Sequence, residues 1–277
     1  METCLLTYYI HNKEVKSTCD FKLKIDQETI VIYEVIRVIE GKPLYVEDHI
    51  NRFFKSCDLQ DIKPIISSRQ IINRIKTIIE LNKQIIGNLK WAVLKYESGI
   101  QDFVIWASPF FYPGKELTRE GVNCSFYKAK RKKPNSKTLK NKVQNEVQQF
   151  ISEKKLFDVI LHDHKGKITE GSRTNIFFIR NNTVFTSFDT DVLEGISRKK
   201  VIESCSSLGI ELIKKDIYKD EIQTFDFAFL SGTSINILPI KRIENHYFNT
   251  KNELFQELLN KYILKSETYI ENFQWNL

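Results

Sequence analysis

Hydrophobic positions follow two alternating periods along this chain. Residues 29–39 are dominated by β-branched and aromatic side chains, which is typical of a strand. In residues 46–57, Val46, Ile50 and Phe53 recur at the 3.6-residue period of a helix. The same criteria predict strands at 8–10, 89–96, 103–107, 122–128, 159–162, 174–179, 184–186, 211–215 and 227–230, and helices at 67–82, 137–153, 197–207 and 252–265. This mixture predicts an α+β fold.

The pattern is interrupted at 109–121, where Pro113 and Gly114 lie in a mostly polar stretch. A chain of 277 residues has room for two domains. We therefore predict a smaller N-terminal α/β domain at 1–112, an interdomain loop at 113–121 and a larger C-terminal domain at 122–277.

The net charge of the chain is +7, and its densest part is 128–142, with eight Lys or Arg and no acid. Such a run can bind nucleic acid, or it can be a solvated surface that attracts anions. Aromatic residues, on which single-stranded bases stack, are not interleaved with it. We therefore favour the solvated surface and do not expect nucleic-acid binding.

The location of the protein is suggested by what its sequence lacks. No stretch of eighteen apolar residues predicts a transmembrane helix, and the strand-like first ten residues lack the basic start of a signal peptide. The five cysteines are scattered without a Cys-x-x-Cys pair, and the five histidines lack metal-ligand spacing. We expect a cytoplasmic protein with reduced thiols, no membrane contact and no metal.

Lys137 and Glu170 are the residues best suited to catalysis. Lys137 opens the predicted helix at 137–153, and Glu170 ends a strand-like run. A lysine amine can form a Schiff base with pyridoxal phosphate (PLP), and a carboxylate can keep its pyridine nitrogen protonated.

Three turns in the second half combine glycine with hydroxyl side chains, at 170–172, 194–197 and 231–234. Glycine lets the backbone approach an anion closely, and Ser or Thr adds donors. The second turn opens a helix whose N–H groups suit a phosphate, although Ser197 taken alone is better explained as an ordinary N-cap. Together with the lysine and the glutamate, the three turns favour a PLP site.

Two elements of the first half carry further candidates. Arg52 presents a donor fork that fits a phosphate, although alone it is better explained as a surface residue of its helix. Strand alternation places Tyr33, Val35 and Arg37 on one face. The Tyr33 hydroxyl lines a site or belongs to the core.

These pieces together resemble the class IV, or fold-type IV, PLP-dependent aminotransferases. That family includes branched-chain aminotransferases, D-amino acid aminotransferases and 4-amino-4-deoxychorismate lyases. The resemblance covers about residues 31–242, in the order and spacing of the family. It rests on Tyr33-Glu34, Gly41, His49-x-x-Arg52, Lys137, Glu170-Gly171-x-x-x-Asn175-x-Phe177, Gly195-Ile196-Ser197-Arg198, Ser231-Gly232-Thr233 and Pro239.

The resemblance implies a two-lobed fold-type IV enzyme with PLP in the interdomain cleft, working as a homodimer. It implies that Lys137 is the catalytic Schiff-base lysine, which moves the proton between Cα and C4′, and that Glu170 pairs with the pyridine nitrogen. Lys140 and Lys142 lie too close to Glu170 to replace Lys137. The residues expected to hold the phosphate are Arg52, Ile196, Ser197 and Thr233. The candidate substrate residues are Tyr33, Arg37, Lys90 and Ser234.

The sequence departs from the family in three places. The stretch 21–32 lacks the glycines of the family's Asp-Arg-Gly and Gly-Asp-Gly segment, and Lys140 stands where many relatives have Asn. No Arg-x-His motif follows Tyr96, which disfavours D-amino acid specificity. The Ser-Gly-Thr turn favours a branched-chain type of aminotransferase, with an amino acid and a 2-oxo acid as substrates.

Three alternatives stay open at this point. Lys90, in Gly-Asn-Leu-Lys-Trp, resembles a pattern of the aminodeoxychorismate lyases, which need no 2-oxo acid acceptor. The altered stretch 21–32 is also compatible with a homologue that binds PLP without turnover. The basic run keeps a non-enzymatic nucleic-acid-binding protein as the last alternative.

Overall fold

The computed structural model describes residues 2–129, 133–139 and 141–275, and for 141–143 it describes the backbone alone. The chain divides into two compact units. Unit 1 comprises Met1–Phe111, Ser136–Leu139 and Ser266–Leu277, and unit 2 comprises Tyr112–Asn135 and Lys140–Lys265. Part of the basic run, with the rival lysines Lys140 and Lys142, lies outside the described side chains.

Unit 1 is built on an antiparallel sheet. Its strands are β1 Leu5–His11, β2 Glu14–Ser17, β3 Ile30–Ile39, β4 Lys42–Pro43, β5 Gly87–Lys95 and β6 Gln101–Ser108, in the order β2-β1-β6-β5-β3-β4. β3 pairs with β5 from Ile30 opposite Lys95 to Val38 opposite Gly87. Because side chains alternate along a strand, Glu34 lies on the buried face of β3 with Ile32 and Ile36, whereas Tyr33 and Arg37 lie on the half-buried face.

Two amphipathic helices, α1 Val46–Asp58 and α2 Ser68–Asn82, cover the buried face of β3. Ser67 caps α2 in a capping box with Gln70, which supplies bonds that the first turn of a helix cannot make itself. Phe53 of α1 and Ile75 of α2 pack with Trp91 of β5 in the core below. This packing fixes the face of α1 that meets the sheet.

Unit 2 contains the remaining elements. Its strands are β7 Val122–Lys128, β8 Asp158–His162, β9 Lys167–Gly171, β10 Asn175–Arg180, β11 Thr183–Thr186, β12 Leu212–Lys214, β13 Ile217–Tyr218, β14 Phe227–Gly232, β15 Asn236–Ile243 and β16 His246–Tyr247. They form a sheet in the order β12-β11-β10-β14-β15-β7-β8-β9-β13, with β16 beside β15. The helices are α3 Lys115–Glu120, α4 Asn141–Glu153, α5 Ile196–Leu208 and α6 Glu253–Asn272, the end of which belongs to unit 1.

The centre of the unit 2 sheet is buried on both faces. Phe177 and Phe229 are stacked, with ring centroids 4.9 Å apart, in a core that also contains residues of α5 and α6. The next residue of β10, Phe178, points into a second core on the other face. The strands that carry the glycine turns are therefore rigidly held.

The structure corrects several expectations from the sequence. Residues 137–139 are extended and α4 begins at Asn141, because this segment pairs with β3. The loop predicted at 113–121 contains α3, which begins after Gly114 and ends at Gly121, where φ is +75°. Strand β15 was not predicted, because Pro239 counts against a strand. The segments 136–139 and 266–277 group with unit 1, whereas the sequence analysis assigned them to the second domain.

Candidate active site

Lys137 lies in a short extended segment at the edge of β3. Its carbonyl accepts a hydrogen bond from the Tyr33 N–H at 3.2 Å, and its own N–H donates to Ser56 Oγ of α1, also at 3.2 Å. Two residues later the Leu139 N–H donates to the Val31 carbonyl at 3.0 Å. The main chain of Lys137 is therefore fixed by a strand and by a helix of unit 1.

Three of the predicted site residues meet on the half-buried face of β3. The Lys137 Nζ lies 5.0 Å from the centroid of the Tyr33 ring, and the Lys90 Nζ lies 4.5 Å from the same centroid. Lys90 also lies over the Trp106 ring at 5.5 Å. Both ammonium groups thus gain the electrostatic attraction of an aromatic face. Arg37 lies on the same face of β3, four residues further along the strand.

Lys90 is a buried cation that is bound to a carboxylate. It is 8% exposed, and its ammonium donates to Glu2. Burial lowers the pKa of Lys90, while the Glu2 carboxylate opposes this shift by favouring the charged form. The surroundings of Lys90 therefore combine apolar walls with a strong anion, which is a suitable chemistry for a carboxylate-binding position.

Arg52 lies on the opposite face, in the core beneath α1. Its Nε donates to Glu34 Oε1 at 2.8 Å, and its Nη2 donates to Glu34 Oε2 at 2.6 Å. The His49 Nδ1 lies 2.9 Å from the same Glu34 Oε2. Glu34 is fully buried, so its carboxylate has replaced water with these partners. Arg52 is accordingly a buried residue, which excludes the surface position considered from the sequence.

Glu170 is placed at the end of β9 in unit 2. The carboxylate is 3% exposed, and its Oε2 accepts a hydrogen bond from the Leu193 N–H at 3.1 Å. Leu193 precedes the Glu194-Gly195 turn at the start of α5. The structure therefore brings Glu170 close to the second of the three glycine turns.

The turn that follows Glu170 is organised by Asp158, a residue that the sequence analysis did not single out. Asp158 accepts hydrogen bonds from Ser172 Oγ at 2.5 Å and from Thr174 Oγ1 at 2.8 Å. A Cβ on Gly171 would lie 2.0 Å from Thr174 Oγ1 and 2.8 Å from Asp158 Oδ2. Only glycine fits here without displacing this fully buried aspartate.

Asn175 joins the second and third glycine turns. Its Nδ2 donates to the Leu193 carbonyl at 2.9 Å, and a Cβ on Gly195 would lie 2.1 Å from its Oδ1. In the sheet, Asn175 pairs with Ser231, the first residue of the third turn. Asn175 was part of the family motif, but its connecting role became visible only from these contacts.

The start of α5 offers unused main-chain donors. Gly195 is its N-cap and makes no side-chain cap bond, so the explanation of Ser197 as the N-cap is wrong. Ile196 and Ser197 are buried in the first turn. Arg198 is anchored by donating to Asp189 Oδ1 at 2.6 Å and to the Ser187 carbonyl at 2.8 Å. An uncapped and anchored helix N-terminus attracts anions.

The third turn contributes hydroxyl groups. Thr233 and Ser234 are half-buried between β14 and β15. Ser231 is 1% exposed, and among the described residues its Oγ has no hydrogen-bond partner. A buried hydroxyl without a partner costs free energy unless a ligand or water bonds to it. Together with the uncapped start of α5, this hydroxyl fits a phosphate-bearing cofactor.

Two searches of the described residues, 2–129, 133–139 and 141–275, bear on other classes of site. Within them, no helix combines the length and the apolar character needed to cross a membrane. No group of three or more His, Cys, Asp or Glu side chains in that part of the chain is arranged to hold a metal ion.

Comparison with known proteins gives concordant relatives. The family model for amino-transferase class IV matches residues 31–243. A D-alanine aminotransferase of Bacillus licheniformis is 27% identical over 77% of this chain and 78% of its own. A probable branched-chain-amino-acid aminotransferase of Rickettsia bellii is 26% identical over 85% and 84%, and an aminodeoxychorismate lyase of Bacillus subtilis is 24% identical over 78% of each chain.

The fold has close counterparts among solved structures. The branched-chain amino acid aminotransferase of Escherichia coli superposes with a TM-score of 0.84 over 98% of each chain, at 18% sequence identity. A branched-chain amino acid aminotransferase from T.th., solved with pyridoxamine 5′-phosphate, superposes with a TM-score of 0.83 over 94% of each chain, also at 18% identity. At that identity the likeness concerns the fold, and it matches the two-domain fold-type IV architecture that the sequence predicts.

Proposed function

The chain belongs to the class IV aminotransferase family, and from this premise we propose that it moves an amino group from an amino acid to a 2-oxo acid with PLP as its cofactor. The substrates are of the branched-chain type, as the Ser231-Gly232-Thr233 turn and the Rickettsia bellii relative suggest. The observation that carries the proposal is the position of Lys137. Its amine lies over Tyr33 while its main chain is fixed by β3 and α1.

PLP, when bound, supplies an electron sink and a temporary carrier for the amino group. Lys137 would hold the cofactor and move the proton between the substrate Cα and the cofactor C4′. Its fixed main chain leaves the flexible side chain to reach both atoms. The Tyr33 ring would guide the amine when it carries a positive charge.

Glu170 would hold the pyridine nitrogen in its protonated form. The carboxylate is buried, and the Leu193 N–H fixes its orientation, so it can offer an oxygen in a defined direction. The phosphate would be held by the Arg52 fork, by the uncapped start of α5 at Ile196 and Ser197, and by the Thr233 turn.

The substrate would contact the half-buried face of β3 and the third turn. Lys90 already binds one carboxylate, that of Glu2, which supports a role in binding a carboxylate of the substrate. Tyr33 and Arg37 lie on that same face, and Ser234 would contribute from its turn.

The test is the visible absorption spectrum of the protein with PLP, for wild type, Lys137→Ala and the control Lys133→Ala, whose side chain is exposed. The proposal predicts a band that is lost in Lys137→Ala and retained in Lys133→Ala. Particular amino acids should abolish the wild-type band, and a 2-oxo acid should restore it. A wild-type protein without any band in the presence of PLP would contradict the cofactor assignment.

A PLP lyase of the aminodeoxychorismate type is the second candidate. It is favoured by the buried, carboxylate-bound Lys90, because a chorismate-derived substrate is anionic. The lyase releases pyruvate without an acceptor, whereas the transaminase needs a 2-oxo acid. Pyruvate release from aminodeoxychorismate that continues without an acceptor would identify the lyase.

We further propose that the enzyme is a cytoplasmic homodimer, as the family resemblance implies. Light scattering during gel filtration should give twice the chain mass of 32.7 kDa. A mass equal to one chain over the whole concentration range would reject the dimer.

A further inference from the structure

A buried cluster of three ionisable residues lies between α1 and β3. Glu34 and His49 are 0% and 2% exposed, and Arg52 is 8% exposed. Apolar and aromatic side chains surround them, and the His49 ring meets the Trp91 ring edge-on at 6.3 Å. A buried ion pair loses hydration, and it is often no more stable than apolar residues of the same volume. Its presence in this core therefore indicates a role other than stability.

The geometry of the cluster fixes the plane of the Arg52 guanidinium. Glu34 accepts from Nε and from one hydrogen of Nη2, at 2.8 and 2.6 Å. A guanidinium is planar and carries five N–H donors in a rigid fork. Two contacts on one edge therefore define the direction of the other donors, including both hydrogens of Nη1.

The protonation states make Glu34 an acceptor only. Burial alone would raise the pKa of Glu34, but Arg52 and His49 together lower it to about 2. Burial lowers the pKa of His49, more than the Glu34 carboxylate raises it. At neutral pH the His49 ring is therefore neutral, and its Nδ1–H donates to Glu34 Oε2. The carboxylate is thus held by one residue while it holds another.

We propose that Glu34 and His49 are positioning residues for the cofactor phosphate: they orient the Arg52 fork, and Arg52 makes the contact. This inference rests on the proposed function, in which Arg52 binds the phosphate of PLP. His49 orients Glu34, and Glu34 orients Arg52. Neither of the two touches the cofactor.

The experiment compares the affinity of the apoprotein for PLP with its affinity for pyridoxal, which lacks the phosphate. In Glu34→Gln the amide cannot serve as acceptor for both Arg52 donors, so the fork loses its fixed plane. Kd for PLP should rise about tenfold or more, while Kd for pyridoxal stays within about twofold. His49→Phe should show the same selective loss, with a smaller effect of about threefold.

Two further variants separate positioning from folding. Phe53→Leu removes part of the same core and is the matched control, since it should lower the melting temperature without changing the ratio of the two Kd values. In an Arg52→Leu background, Glu34→Leu should add no further loss of PLP affinity, and this double variant carries no unpaired charge if Glu34→Gln fails to fold.

The outcomes are distinguishable. A Glu34→Gln protein with an unchanged ratio, or with equal losses for PLP and pyridoxal, would overturn the positioning role and leave the proposed function intact. So would a further selective loss on adding Glu34→Leu to Arg52→Leu. Wild-type protein that binds neither PLP nor pyridoxal would overturn the proposed function, and the positioning role with it.

Discussion

Lys137 is joined to Tyr33 through both its main chain and its side chain. The Tyr33 N–H donates to the Lys137 carbonyl at 3.2 Å, and the Lys137 Nζ lies 5.0 Å from the centre of the Tyr33 ring. The strand residue therefore fixes the position of the lysine and also offers its amine an aromatic surface. This double contact gives the first prediction.

Replacing Tyr33 with Leu should slow transamination. The variant keeps the main-chain bond to Lys137 but removes the ring, and a cation–π contact contributes about 1–2 kcal/mol. We expect kcat/KM to fall about tenfold. Tyr33→Phe keeps the ring and serves as the control, so any loss in that variant reports the hydroxyl alone. Wild-type kinetics in Tyr33→Leu would contradict a role for the ring.

Gly195→Ala should impair the start of α5. The added Cβ would lie 2.1 Å from Asn175 Oδ1, so either the turn or Asn175 must shift. We expect the free energy of unfolding to fall by about 1–3 kcal/mol and the Kd for PLP to rise. Gly114→Ala is the matched control, because its Cβ meets nothing within 4 Å and it precedes a helix as well. Equal melting temperatures for the two variants would refute the argument.

Asp158→Asn should loosen the turn after Glu170. An amide cannot accept from Ser172 and Thr174 on both of its polar atoms, and charge-assisted bonds are lost. We expect destabilisation of about 2–3 kcal/mol, with weaker PLP binding. Asp163→Asn tests the specificity, since Asp163 is also buried but organises the turn between β8 and β9. Denaturant titration and PLP titration of both variants decide the matter.

The stability of the protein should fall with pH in two steps. The pKa of His49 is lowered in the folded state, so the first loss begins as the pH falls below the unfolded value of 6.5. The pKa of Glu34 is lowered from 4.5 to about 2, so the second loss follows between these values and amounts to about 3 kcal/mol.

Chemical denaturation between pH 7 and pH 3 measures both steps. His49→Phe should remove the first and Glu34→Gln the second, whereas substitution of the exposed Glu28 should alter neither. A wild-type profile that stays flat below pH 6.5 would show that the cluster is not linked to folding in this way.

The parts of the fold that depend on local sequence were predictable. Helix α1 was predicted at 46–57 and α2 at 67–82, each within one residue of the structure, because apolar period and capping act over a few residues. The extended form of 137–139 was not predictable in this way. It results from pairing with β3, about a hundred residues away in sequence.

The family and its fold were predictable from motif spacing, and the family match over 31–243 confirms the resemblance. The roles of the individual site residues remain predictions. Sequence reasoning could not find the parts of Asp158, Ser56 and Asn175, because an aspartate, a serine or an asparagine has no distinctive spacing of its own. Their importance depends on which distant main-chain groups they meet.

Strand β3 carries Tyr33 and Glu34 as neighbours, one beside the lysine and the other beneath the arginine. An insertion or deletion of a single residue before them would exchange the two faces, placing a carboxylate beside Lys137 and a phenol in the core. This strand should therefore tolerate substitutions far better than changes of length. A library of single-residue indels across Ile30–Ile39 would reveal a narrow gap in survival where substitutions are still accepted.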